Sequence, residues 1–436
     1  MPPDPASARG PHRGALLVVF LTVFIDLLGF GIVLPVMPRQ AEPYLEALGF
    51  SPVATGAAIG VLFSVFSLMQ LVFSPIWGGL SDRIGRRPLL LLSLAGSVVF
   101  YALYAVAVTV PTDPAPSREQ AALAIGLMLL SRIGAGIAGA SVGTAAAVIA
   151  DCTTPQNRAR GMALIGIAFG GGFTLGPLIA YFGLALFQKR PWGVGSIASA
   201  LSVVALLIAI FVFRETRPAN AAPRPRHTGF TRTAGVLRMP GVGTLVLIYF
   251  LAIVAFANFE ATLARLTESA FGMTDDDNFL VFAFIGAMLL VAGGAYRPFA
   301  KRFDEATLLA AGVGLMIVGL GSLGAVAWLV YRDPAAGGTN WLRALFYAAS
   351  ALAVAGFACV NPSVSALISR RADPSRQGEV LGVNQSFASL GRIAGPFMGS
   401  LLFGLHPSHA LPFLDAVVIL VIVLSLMPRI AAPGAR

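Results

Sequence analysis

Charge is scarce in this chain. Only 11% of its 436 residues are Asp, Glu, Lys or Arg, against roughly a quarter in an ordinary soluble domain. That shortage excludes a globular surface bathed in water. Cysteine is rarer still: Cys152 and Cys359 stand alone, which excludes a disulfide framework and a cysteine-built metal site. Histidine is nearly as rare, and His406 and His409 share one loop, a poor basis for a metal site. There is no phosphate-binding P-loop and no HExxH, which argues against an ATP-driven pump. No metal and no cofactor is expected, and no enzyme.

What the chain has instead is apolar length. Hydrophobic residues make up 57% of it, and they fall into twelve runs of about 18 residues or more, the length that spans a hydrocarbon core. The runs extend from 14–38 to 410–428, with 54–77, 89–110, 121–150, 160–187 and 192–213 in the first half. The expectation is an all-α polytopic membrane protein in contact with lipid. Placing the N-terminus in the cytoplasm puts 21 of the 30 Lys and Arg on that side; the opposite orientation would invert the bias that positive residues show. The net charge of +10 therefore reports topology rather than a nucleic-acid partner. The first run is too long for a signal peptide, carries Asp26 and lacks a small-residue cleavage site.

An internal repeat divides the spans six from six. Gly172-Phe-Thr-Leu-Gly176-Pro177 recurs 219 residues later as Gly391-Arg-Ile-Ala-Gly395-Pro396. Two parallel six-helix bundles are expected, 14–213 and 242–428. A basic, proline-rich cytoplasmic loop, 214–241, joins them; the tails are 1–13, disordered, and 429–436. Parallel repeats of this kind suit a carrier with a site near the midplane.

Three groups of residues carry the chemistry. The first is the link from Gly78 to Pro88 between the second and third runs, with Gly78, Asp82, Arg83, Gly85, Arg86 and Arg87. Asp151 and Arg158 are expected at the same face. A hairpin needs no glycine simply to turn, so its glycines predict close approach to another segment and its charges a latch. The alternative is a set of topology anchors, although anchoring requires only positive charge. The second group is ionisable side chains inside apolar runs: Asp26, Arg132, Glu260 and Arg392, costly there and so candidates for function. At about 1.5 Å per residue, Asp26 and Arg132 reach similar heights in the outer half of the membrane. Between desolvation and a guanidinium, Asp26 is suited to load and release a proton; the alternative is a satisfied buried ion pair. Glu260 lies either in a cavity or near the outer headgroups. The third group is Gly172-x-x-x-Gly176-Pro177 with its copy at Gly395-Pro396, either close packing or a hinge. Aromatic residues such as Phe66, Phe256 and Phe357 line a drug-accepting cavity or simply pack. Asp275-Asp276-Asp277 reads as a solvated outer loop.

These motifs resemble a known family. Gly78 through Arg87 resembles the loop 2–3 signature of the major facilitator superfamily. Arg132 with Gly136 looks like its fourth-helix motif, and Gly172-x-x-x-Gly176-Pro177 like the fifth-helix motif of drug/proton antiporters. Ile25 through Pro38, and Ile149 through Arg160, are similar to the tetracycline-resistance efflux proteins. The resemblance implies alternating access, with helices one, four, seven and ten lining the cavity; Asp26, Arg132, Glu260 and Asn361 fall on them. It also implies that Asp82, Arg86 and Asp151 latch the cytoplasmic side. Phe100 stands where those exporters have an acid, and the fifth-helix motif ends Ala180-Tyr181. These departures argue against tetracycline itself and leave Glu260 as a second acid.

The function expected is therefore proton-coupled antiport, exporting small amphipathic molecules from a bacterial inner membrane as a monomer with both termini cytoplasmic. Proton symport or facilitated uptake of a metabolite is the alternative, and a transporter-like sensor a remote one.

Overall fold

The computed structural model describes residues 13–153, 158–217, 230–372 and 377–428. The tail 1–12, residues 218–229 of the central loop and the tail 429–436 lie outside them. The described chain is helical: α1 (Arg13–Val33), α2 (Met37–Ala47), α3 (Pro52–Ile84), α4 (Arg86–Ala107), α5 (Arg118–Ala138), α6 (Val142–Cys152), α7 (Arg158–Leu186), α8 (Gly193–Val212), α9 (Phe230–Leu237), α10 (Val242–Phe271), α11 (Asp275–Phe299), α12 (Glu305–Arg332), α13 (Asn340–Arg371), α14 (Gln377–Leu405) and α15 (Leu411–Leu426). Nine segments among the described residues are long and apolar enough to cross a bilayer, with α5 and α6 forming one of them. Beyond these nine, α7 and α14 run for 29 residues each and the apolar α15 for 16.

Four local features differ from the sequence expectation. The first run stops at Val33 rather than Pro38, because Pro35 disfavours helix at the residue before it. The chain re-enters helix as the short polar α2. The link at 78–88 is almost wholly helical: α3 continues to Ile84 and α4 starts at Arg86, leaving Gly85 alone between them with φ +107°. The glycine is thus needed for the turn after all, whereas a Cβ on Gly78 would meet nothing within 4 Å among the described residues. The fourth span breaks into a 3₁₀ turn at Gly139–Ser141. Lastly, Asp275–Asp277 is not a loop but the first turn of α11, where Thr274 and Asp277 form a capping box.

Packing gathers the chain into two units. One takes Met1–Val33, Met69–Thr109 and Leu127–Arg226, the other Leu34–Leu68, Val110–Gly126 and His227–Arg436, over their described residues. The boundaries cut through α3 and α5. In the first unit Val18, Val19 and Val23 of α1 join Leu90, Leu94, Val148, Ile149 and Ala209 in one apolar core. The repeated glycines do the same work in each unit. A Cβ on Gly176 of α7 would lie 3.0 Å from the Leu28 carbonyl of α1, and one on Gly395 of α14 would lie 2.6 Å from the Val254 carbonyl of α10. Without side chains in the way, each helix pair meets backbone to backbone.

Candidate functional site

In the first unit, the centre of interest is Asp26. Its side chain is 4% exposed on α1, in a helix otherwise free of charge between Arg13 and Val33. Ser97 of α4 donates to one carboxylate oxygen at 2.9 Å and Ser141 of the 3₁₀ turn to the other at 3.2 Å. The Tyr101 hydroxyl donates to the Asp26 backbone carbonyl at 3.2 Å. Burial of a carboxylate is tolerable only with such partners. Arg132 of α5 is likewise buried, 2% exposed, with its guanidinium 5.3 Å from the centre of the Phe30 ring. Tyr101 is within electrostatic reach of both charges.

The turn at Gly85 anchors a second cluster in the same unit. Arg86, 5% exposed, pairs with Asp82 at 2.6 Å and Asp151 at 3.1 Å, and donates to Ser81 at 2.6 Å. Glu215, just beyond α8, accepts the backbone N–H groups of Arg86 and Arg87 at 2.9 and 3.0 Å, and those of Thr216 and Arg217 besides. Burial works against the charged carboxylate of Glu215, but these four donors outweigh it and hold its pKa below the usual value. Arg217 donates to the Arg83 carbonyl at 2.7 Å, and Arg87 to that of Ile210 at 2.9 Å. The structure therefore brings Asp82, Arg86 and Asp151 together. Gly78 takes part through its carbonyl, which accepts from Ser81. Arg158 opens α7, and its side chain lies outside the described residues.

In the second unit, Glu260 of α10 and Arg392 of α14 are half-buried and in electrostatic contact, with Tyr249 beside Arg392. Arg392 also donates to Ser389 at 3.1 Å. Asn361 is exposed on α13 and accepts from Ser365 at 3.4 Å. Phe256 and Phe357 stack at 3.8 Å; the side chains of Phe169 and Phe173 are outside the described part.

Sequence reasoning missed several residues. Asp415, inside the apolar α15, accepts from the fully buried Asn258 of α10 at 3.2 Å. An acid in an apolar helix was a signal open to the same rule that found Asp26. Arg39 of α2 pairs with Glu268 at 3.0 Å and Asp275 at 2.8 Å, and Glu42 with the buried Arg265 at 3.0 Å. The run Gly139-Ala140-Ser141-Val142-Gly143 also has the form GxSxG. It lies on a break between helices rather than a strand-to-helix elbow, and its serine serves Asp26.

The family follows from comparison. Residues 19–396 match the model of the Major Facilitator Superfamily, and the chain belongs to that superfamily, whose members are transporters and not enzymes. It is 30% identical over 399 residues to the class E tetracycline resistance protein of Escherichia coli, covering 89% of this chain and 87% of that one. It is 28% identical over 449 residues to major facilitator superfamily domain-containing protein 10 of Mus musculus, covering 92% and 89%. Among solved structures, the human organic anion transporter MFSD10 (TETRAN) matches with a TM-score of 0.62 at 25% identity, over 96% of this chain and 100% of that one. The protein is accordingly a multi-pass secondary transporter of a small molecule.

Proposed function

We propose that this transporter is a proton-coupled antiporter that exports small amphipathic compounds across a bacterial inner membrane, as a monomer with both termini in the cytoplasm. The observation that carries the reading is the Asp26 site: a buried carboxylate in the first span, held by two neutral hydroxyls, in a chain similar to tetracycline exporters. A carboxylate in such a cage can exist with or without its proton, and proton binding shifts the carrier toward whichever conformation holds it better. The bundles 14–213 and 242–428 are the proposed moving parts of an alternating-access cycle. The Asp82–Arg86–Asp151 cluster is the proposed cytoplasmic gate, and Gly172, Gly176-Pro177 and Gly395-Pro396 the proposed hinges. Substrate and coupling roles are assigned to Asp26 and Arg132 in the first unit and to Glu260, Arg392 and Asn361 in the second.

A second reading refines the cargo to amphipathic organic anions. It is favoured by an arginine set within a span in each unit, Arg132 and Arg392, since a guanidinium suits a carboxylate or phosphate. The name of the human relative points the same way. The test is proton-driven efflux in inverted vesicles, comparing the parent with Asp26→Asn. Loss of exchange in a folded variant is expected; undiminished exchange would remove Asp26 from the coupling. Alkalinisation outside whole cells on adding substrate would instead favour proton symport.

A further inference from the structure

The fourth span is broken where it meets Asp26, and side chains from two other helices hold the break. In a 3₁₀ turn the i→i−4 ladder is interrupted and its carbonyls need other donors. Three consecutive carbonyls find them: Ile137 accepts from the Trp77 indole, Ala138 from the Ser93 hydroxyl at 2.7 Å and Gly139 from the Gln70 amide at 3.2 Å. Trp77 and Gln70 stand on α3 and Ser93 on α4. The turn then delivers the Ser141 hydroxyl to Asp26. A break so fully served by donors is a built element, not a defect.

We propose that Ser141 is the positioning residue through which the broken segment 139–141 reads the proton on Asp26. The inference rests on the reading of Asp26 as the proton carrier. When Asp26 is ionised, Ser97 and Ser141 both donate to it, and both bonds are charge-assisted. When a proton binds the oxygen facing Ser97, that new O–H donates to Ser97. The Ser97 proton turns to its second acceptor, the Ser93 carbonyl at 3.3 Å. Ser97 thus accommodates the proton by rotating one hydroxyl. Ser141 has still to donate, but now to a neutral acid, and a bond to a neutral acceptor is about half as strong as one to a charged acceptor. The hold of α1 on the break loosens, and the break shifts against the three carbonyl contacts on its other side, the Trp77 bond to Ile137 among them. The other titratable or charged groups around Asp26 are Tyr101 and, through it, Arg132 and Tyr104. Arginine and tyrosine ordinarily titrate well above neutral pH, so the proton on Asp26 is the variable.

Trp77 supplies the readout, because indole emission responds to the hydrogen bond at its ring nitrogen. With Trp192, Trp328 and Trp341 replaced by phenylalanine, Trp77 emission in lipid nanodiscs should titrate with pH, and Asp26→Asn should abolish the titration. In Ser141→Ala the Trp77 titration should be lost. Ser141→Gly, which removes the hydroxyl without adding volume, repeats the measurement should the alanine variant misfold. A Trp77 titration in either folded serine variant that matches the parent would overturn the proposal. So would a pH-insensitive Trp77 in a parent whose exchange depends on Asp26. If exchange survives Asp26→Asn, it is the reading of Asp26 itself that fails.

Discussion

The carboxylate of Glu215 occupies the space that a side chain on Gly85 would need: a Cβ there would run into one of its oxygens. Turn and acid are thus two parts of one joint. Gly85→Ala adds a clash to a backbone at φ +107°, where a residue with a Cβ costs about 1–3 kcal/mol. It should melt earlier in detergent than the parent, and adding Glu215→Ala should recover part of the loss by removing the clash.

Glu215 also predicts a pH dependence. Its folded pKa lies below the unfolded value, so its contribution is present above the unfolded carboxylate pKa and fades as pH falls through the folded one. Hydrogen exchange at the amides of Arg86 and Arg87 should accelerate in that acid window. In Glu215→Gln the protection should already be weaker at neutral pH and should no longer change across the window. An unchanged acid-dependent profile in this variant would exclude Glu215 as the cause.

Arg86 should be the costliest residue to remove from the charged cluster. Its guanidinium is buried between two acids, and breaking a buried pair costs about 3–5 kcal/mol. Asp82 is more exposed than Asp151. The expected order of destabilisation in thermal melts is Arg86→Ala, then Asp151→Asn, then Asp82→Asn. Arg86→Lys should rescue little, since a lysine cannot reproduce the fork that reaches two carboxylates. An Asp82 variant as damaging as the Asp151 variant would contradict the burial difference.

The glycine notches separate packing from mere flexibility. Gly395→Ala drives a methyl into the Val254 carbonyl and should cost about 1–3 kcal/mol. Gly294→Ala in the C-terminal part of α11 meets nothing within 4 Å among the described residues and should be neutral or stabilise by up to about 1 kcal/mol. Equal effects at the two positions, measured by melting, would deny the notch its role.

His409 provides a second, opposite test of pH. Burial, with its ring stacked 4.0 Å from that of Phe403, holds the imidazole below its ordinary pKa, outweighing the bond to the Phe403 carbonyl. A neutral folded imidazole contributes stability above the unfolded histidine pKa and loses it as pH falls below that value. His409→Gln should flatten the melting temperature between about pH 7 and pH 5; an unaltered slope would assign the loss to other groups.

Much of this was legible in the chain, and for identifiable reasons. Asp26 and Arg132 declared themselves because charge in an apolar run is expensive, and both are indeed buried, Asp26 against two serine hydroxyls and Arg132 over the Phe30 ring. The repeat around Gly176 and Gly395 exposed two equivalent helix contacts. Other features left no such mark. Glu215 sits in a charge-rich stretch where any acid looks solvated. Asp275 looked like loop because its pairing with Arg39 depends on α2, a helix hidden at the end of an apolar run. Ser97 and Ser141 are hydroxyls among small residues, with no periodicity to betray them. The break at 139–141 contains no proline, so nothing local announced it.

The one-residue joint at Gly85 also constrains how the chain enters the membrane during synthesis. With α3 ending at Ile84 and α4 starting at Arg86, no slack exists for the first helix to settle before the second arrives. The two should leave the translocon together as a helical hairpin. A lengthened linker at this position would let α3 insert alone, so the joint sets the order of assembly as well as the final geometry.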